Sequence, residues 1–187
     1  GLLGLLDRAG PGDEVLVQQL DEPLSWGDVA QGGDSALNPR LQAYLSAARR
    51  GARVRVLLDG YFDDPAHGNS NASAARYLNE HAAAEELDLA ARTGNPTGLG
   101  LHNKMVLLRL NADPGQADRH WVHVGSLNGS QAAHKVNREL ALQVDSAAVH
   151  RYLATVFAWD WAASGANAVY LPAVVNTAVI GGTGVPP

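Results

Sequence analysis

Residues 38–59 read NPRLQAYLSAARRGARVRVLLD, and this stretch decides the fold. Asn38 is a capping residue and Pro39 suits the first helical position, where its missing N–H costs nothing. Leu41, Tyr44, Leu45 and Ala48 then fall at the spacing of one buried helical face, and Gly51 ends the helix. Directly after it, Val54, Val56 and Leu58 alternate with Arg53, Arg55 and Leu57 as in a strand. Upstream, residues 14–20 (EVLVQQL) read as another strand. Strand, helix, strand in this order implies two parallel strands joined by a right-handed crossover.

Outward from this unit, residues 2–9 suggest a short helix closed by Gly10-Pro11-Gly12. Residues 21–38 and 59–72 form two long polar loops, whose length points to function. A helical pattern resumes at residues 74–84, followed by a short strand at 87–90 and a turn-rich run at 93–98. Further strands are expected at 102–110, 120–125 and 138–144. A last helix over 146–163 carries Val149, Leu153, Val156, Phe157 and Trp161 as its apolar stripe. The fold class is therefore α/β, a mixed β-sheet flanked by helices on both faces.

The chain has 187 residues, 46% hydrophobic and 18% charged, an ordinary globular balance. A formal charge of −5 gives no general attraction for nucleic acid or anionic lipid, so any attraction for phosphate is local. Without cysteine there is neither a disulfide nor a thiolate zinc site. No apolar run approaches the ~20 residues that cross a bilayer as a helix. Residues 1–165 are expected to form the domain and 166–187 a C-terminal linker, the whole being cut from a longer parent.

Chemistry gathers in the second half. His102 and Lys104, spaced by one residue at the start of an apolar strand, are expected to project from one face, setting a nucleophile beside a cation. Taken alone, the pair also reads as a solvent-facing strand end. Gly125-Ser126-Leu127-Asn128 follows another strand and supplies a hydroxyl and an amide at a turn, and Glu139 adds a carboxylate. Among weaker candidates, His120 with His123 would face opposite sides of a strand, and Asp63-Asp64 with His67 lies in a polar loop, so neither reads as a metal site. Ser126 lacks the flanking pattern of a serine hydrolase. Trp26 lines a substrate entrance or, more simply, caps the core; Trp121, Trp159 and Trp161 read as structural.

Taken together, His102-Asn103-Lys104, Gly125-Ser126-Leu127-Asn128 and Glu139 resemble the signature of the phospholipase D superfamily, H-x-K followed by G-[ST]-x-N and an acidic residue. Residues 50–59 resemble the helix-to-strand segment of the same repeat, so the likeness covers residues 1–163. Two departures stand out. Arg109 occupies the place of the signature aspartate, and the chain holds one H-x-K where the family's site uses two. The fold implied is thus a phospholipase D-like half, a single catalytic repeat.

The resemblance implies metal-independent cleavage or transfer of a phosphodiester, with phospholipid as the expected substrate and no cofactor. His102 would attack phosphorus to form a phosphohistidine, while a histidine of a partner half-site protonates the leaving alcohol. Lys104 and Asn128 would hold the non-bridging oxygens, assisted by Ser126, and Glu139 would fix a histidine tautomer. The second half-site comes from a homodimer partner or from the parent chain. Two other readings stay open: a nuclease of the same superfamily, which the net charge disfavours, and a catalytically silent binding domain. A lipid substrate and flanking linkers fit an envelope or secreted setting.

Overall fold

The computed structural model describes residues 1–27, 36–112 and 117–165. In chain order the elements are α1 (Leu2–Leu6), β1 (Glu14–Gln19), β2 (Ser25–Trp26), β3 (Ala36–Leu37), α2 (Pro39–Arg49), β4 (Arg53–Asp59), α3 (Asn71–Ala84) and β5 (Leu89–Gly94). They continue with β6 (Met105–Leu110), β7 (Arg119–Gly125), α4 (Gln131–Lys135), β8 (Ala141–Asp145) and α5 (Ala147–Gly165). The linker expected over residues 166–187 lies outside the described residues.

Asn38 caps α2 by accepting the Arg40 N–H at 2.9 Å, and Leu41, Tyr44, Leu45 and Ala48 are buried. The chain leaves the helix through Gly51 at φ +96°, where any other residue would be strained. It then enters β4, which pairs in parallel with β1 from Glu14↔Arg53 to Gln19↔Leu58. The six-stranded sheet has the order β5-β4-β1-β6-β7-β8, with β6, β7 and β8 joined antiparallel.

Strand alternation splits the core in two. Val15, Val17, Val54, Val56, Val106 and Leu108 pack under α1, α2 and α3. Leu16, Leu57, Met105, Leu107 and Val122 pack on the other face with Phe157 of α5. Helices therefore cover both faces of a mixed sheet. Phe157 is 4% exposed and seats α5, so truncating it to alanine would cost roughly 3–5 kcal/mol.

The differences from the sequence reading have local causes. The loop over residues 21–38 contains the small antiparallel ribbon β2-β3, too short for an alternating pattern to register. Strand β5 runs on through Thr93 and Gly94, read above as a turn; Gly94 is used there for close approach, since a Cβ would strike Ser164. Strand β6 begins at Met105 and β8 at Ala141, so His102, Lys104 and Glu139 lie in irregular chain before their strands. Helix α4 was missed because its five residues hold too little periodicity. On α5, Val149 is 43% exposed and drops out of the stripe.

His123 and His150 are both buried, and burial is the main cause that pushes each ring down to about 4; Arg40 and His134 add to it for His123, His120 and Arg109 for His150. The unfolded chain, titrating near the ordinary histidine value of 6.5, therefore binds more protons than the folded one between those values. Stability from these rings is full above about pH 6.5 and is lost as pH falls toward 4, by up to about 1.4 kcal/mol per pH unit for each ring. Urea melts at successive pH values check this: the decline below pH 6.5 is expected to be shallower in His150→Phe, and an unchanged slope would contradict it.

Candidate functional site

Because β6 runs antiparallel to β1, its start meets the end of β1, with Met105 opposite Gln18. The same register sets Val124 of β7 beside Met105 and Ala141 of β8 beside Gly125. Residues 20–22, 101–104, 125–129 and 139–140 consequently converge at one end of the sheet. All five residues singled out by the sequence lie there.

Lys104 is 7% exposed while His102 is open to solvent. The ammonium donates to the His102 carbonyl at 2.9 Å and stands 3.4 and 3.5 Å from the two ring nitrogens. The pair is thus adjacent, although strand alternation is not the reason: the lysine side chain folds back over the preceding irregular turn. Burial lowers the Lys104 pKa, and the charges of Glu139 and Asp21 oppose that shift. The Gly125 N–H donates to the Lys104 carbonyl at 3.2 Å, which joins the two motifs through the backbone.

Ser126 Oγ donates to Glu139 Oε2 and accepts the Leu140 N–H at 3.1 Å. Asn137 Nδ2 donates to the other carboxylate oxygen at 3.1 Å. These bonds, the Ser126 one foremost, hold the Glu139 pKa below its usual value, with Lys104 contributing by its charge. Ser126 is therefore engaged in orienting Glu139. Asn128 is placed differently, for its Oδ1 is enclosed with no hydrogen-bond partner among the described residues.

The turn carrying Asn128 is clamped at Gly129. Its N–H donates to the Asp21 carbonyl at 2.7 Å, and its carbonyl accepts from Trp26 Nε1 at 2.8 Å and Asn38 Nδ2 at 3.1 Å. Trp26 thus braces this turn. Beneath it Glu22 is fully buried, ion-paired with Arg40 at 2.9 Å and accepting from Tyr44 OH at 3.2 Å and Asn38 Nδ2 at 3.0 Å. Burial is the main cause that raises the Glu22 pKa, against the lowering pull of Arg40.

Beside His102 lies a cavity of about 390 Å³ lined by Leu20, Asp21, Phe62, Asp63 and Asn71. Asp21 has a raised pKa, chiefly through burial, with a further push from Asp63. Sequence reasoning passed over Asp21, Glu22 and Asn71, since acids and amides in polar loops carry no pattern that marks them. The Asp63 carboxylate accepts the N–H groups of Asn71 and Ala72 at 2.8 and 2.9 Å, so it serves the start of α3. Among the described residues no cluster of three or more His, Cys, Asp or Glu could hold a metal ion. Arg109 stands at the opposite end of β6, opposite Glu14 and His120, and donates to Asn111 Oδ1 at 2.7 Å. At ~3.3 Å per residue it is roughly 16 Å from Lys104, at the other end of the strand from His102.

The family model described as cardiolipin synthase, PLD-like domain, matches residues 35–161, more than half of the chain. Among solved structures, the phospholipase D family member Nuc from Salmonella typhimurium is similar with a TM-score of 0.59 and 17% identity, over 86% of this chain and 84% of that one. NucT from Helicobacter pylori is similar with a TM-score of 0.54 and 15% identity, over 86% of this chain and 85% of that one. Polyphosphate kinase from Porphyromonas gingivalis shares the fold over 86% of this chain but only 23% of its own, with a TM-score of 0.53 and 15% identity. No curated protein matches the sequence. The family match over residues 35–161, on a sheet that those solved structures share, makes this chain a member of the phospholipase D-like domain family.

Proposed function

We propose that this chain cleaves or transfers a phosphodiester through a phosphohistidine formed on His102, with a phospholipid as substrate and a second copy of the chain supplying the other imidazole. The observation that carries this reading is the exposed His102 ring held against the buried Lys104 ammonium. A lone pair on the ring attacks phosphorus as the bond to the leaving oxygen breaks, and the partner's protonated histidine gives that oxygen its proton. The partner ring, now neutral, takes a proton from water or an acceptor alcohol, which attacks phosphorus and frees His102. Lys104 and the Nδ2 donor of Asn128 hold the non-bridging oxygens, where charge accumulates. Glu139 receives the N–H of the partner's ring and stabilises its cationic form; its hydrogen-bond partners here are Ser126 and Asn137.

Two observations support the rest. Leu99, Val136 and Leu140 are 78%, 78% and 79% exposed, and Leu140 is hydrogen-bonded to Ser126 within the site. Apolar side chains this exposed fit a covering partner or acyl chains. Asp21 and Asp63 in the cavity beside His102 repel a polyanion, which favours a lipid phosphodiester over a nucleic acid.

Mixing wild type with His102→Ala tests both parts, assayed on a phosphatidyl ester with chelator present. A shared site has turnover falling as the square of the wild-type fraction and unaffected by chelator. A linear fall would mean one chain suffices, and no turnover at any concentration would contradict the proposal. Ser126→Ala removes the largest cause holding Glu139 low. Its carboxyl is expected to titrate higher in a carbon-detected NMR titration, and the acid limb of the activity profile moves up with it, since the carboxylate is lost as pH falls through that value. An unmoved Glu139 titration would remove Ser126 from this role.

A further inference from the structure

Asp59 ends β4 fully buried, and no ion pair offsets its burial among the described residues. Its carboxylate accepts two backbone N–H groups: Leu101, immediately before His102, at 2.5 Å through Oδ1, and Phe62 at 2.6 Å through Oδ2. Burying a carboxylate is costly unless its oxygens are satisfied, so a group kept here has a task beyond filling space. Asn71 anchors the same corner. Its Nδ2 donates to the carbonyls of Asp59 and Leu20 at 2.9 and 2.8 Å, and its Oδ1 accepts the Glu22 N–H at 2.8 Å.

These bonds form a continuous path. His102 is held through Leu101 and Asp59 to Asn71, and Asn71 holds the segment of residues 20–22. The Asp21 carbonyl of that segment takes the N–H of Gly129, next to Asn128. The close approach of chain 100–101 to Asp59 depends on Gly100, which has φ +82° and whose Cβ would lie 2.9 Å from Asp59 Oδ1.

We propose that Asp59 is a positioning residue: its buried carboxylate, on a backbone whose carbonyl Asn71 holds, sets where His102 leaves the sheet relative to Asn128. The inference rests on His102 being the nucleophile. An asparagine at 59 offers one acceptor and turns its NH2 toward an N–H donor, so one tether is lost while size is kept. Gly100→Ala strains the same tether from the other side without altering the carboxylate.

Both variants are compared with wild type in kcat and KM on the phosphatidyl ester, and in the NMR resonances of the His102 ring, with His120 and His150 at the far end of the sheet as internal references. Displacement of a reacting group by about 1 Å costs on the order of 100-fold. The expected result is a kcat lowered about 10- to 100-fold with KM nearly unchanged, and a shifted or broadened His102 resonance beside unmoved His120 and His150. An unmoved His102 resonance overturns the proposal whatever the rates do, and so does a shift shared by all three rings, which marks general loosening. A selective His102 shift in a protein that has no phosphodiesterase activity supports the tether and overturns the catalytic reading instead.

Discussion

The ion pair of Glu22 with Arg40, both enclosed and 2.9 Å apart, is the constraint on which the reactive end depends. Taking two charges out of water often costs about as much as their attraction returns, so the value of such a pair lies in arrangement more than in net stability. Here the arrangement is specific. Glu22 also receives Asn38 and Tyr44, Asn38 caps α2 and reaches the Gly129 carbonyl, and the Glu22 N–H is held by Asn71. A side chain at position 129 would overlap the Glu22 carboxylate, which ties the turn after Asn128 to a glycine. The helix that builds the core therefore also sets the height of the loop that carries the amide.

Upon this frame the site divides its labour. Lys104 keeps a cation against His102 at the cost of burial, and Glu139 and Asp21 offset part of that cost. Ser126 and Asn137 hold Glu139 as a carboxylate, with Lys104 near enough to add to that by its charge. In the proposed reaction His102, Lys104 and Asn128 serve as nucleophile, cation and amide, and a second imidazole protonates the leaving group.

Much of this was legible in the sequence, for reasons particular to certain residues. The cap at Asn38, the buried face from Leu41 to Ala48 and the alternation around Val54 and Val56 are local patterns that burial enforces, so helix, strand and parallel pairing could be read from them. The adjacency of His102 and Lys104 was also anticipated, but from strand alternation, whereas the structure achieves it by a lysine folding back onto the His102 carbonyl. Asp59, Asn71 and Glu22 were not legible as a group. They lie far apart in the chain, and only the convergence of β1, β4 and β6 at one end brings their hydrogen bonds together. Arg109, a departure within the motif, falls at the far end of its strand from His102 and Lys104.

The most direct test of the account is to catch the intermediate. The protein is mixed with a phosphatidyl ester labelled in its phosphate, quenched in alkali within the first turnover, digested and mapped by mass spectrometry. Label is expected on the peptide containing His102, stable to alkali, released by acid and missing in His102→Ala. Rapid turnover with no label on His102, or label carried by another residue, would contradict it.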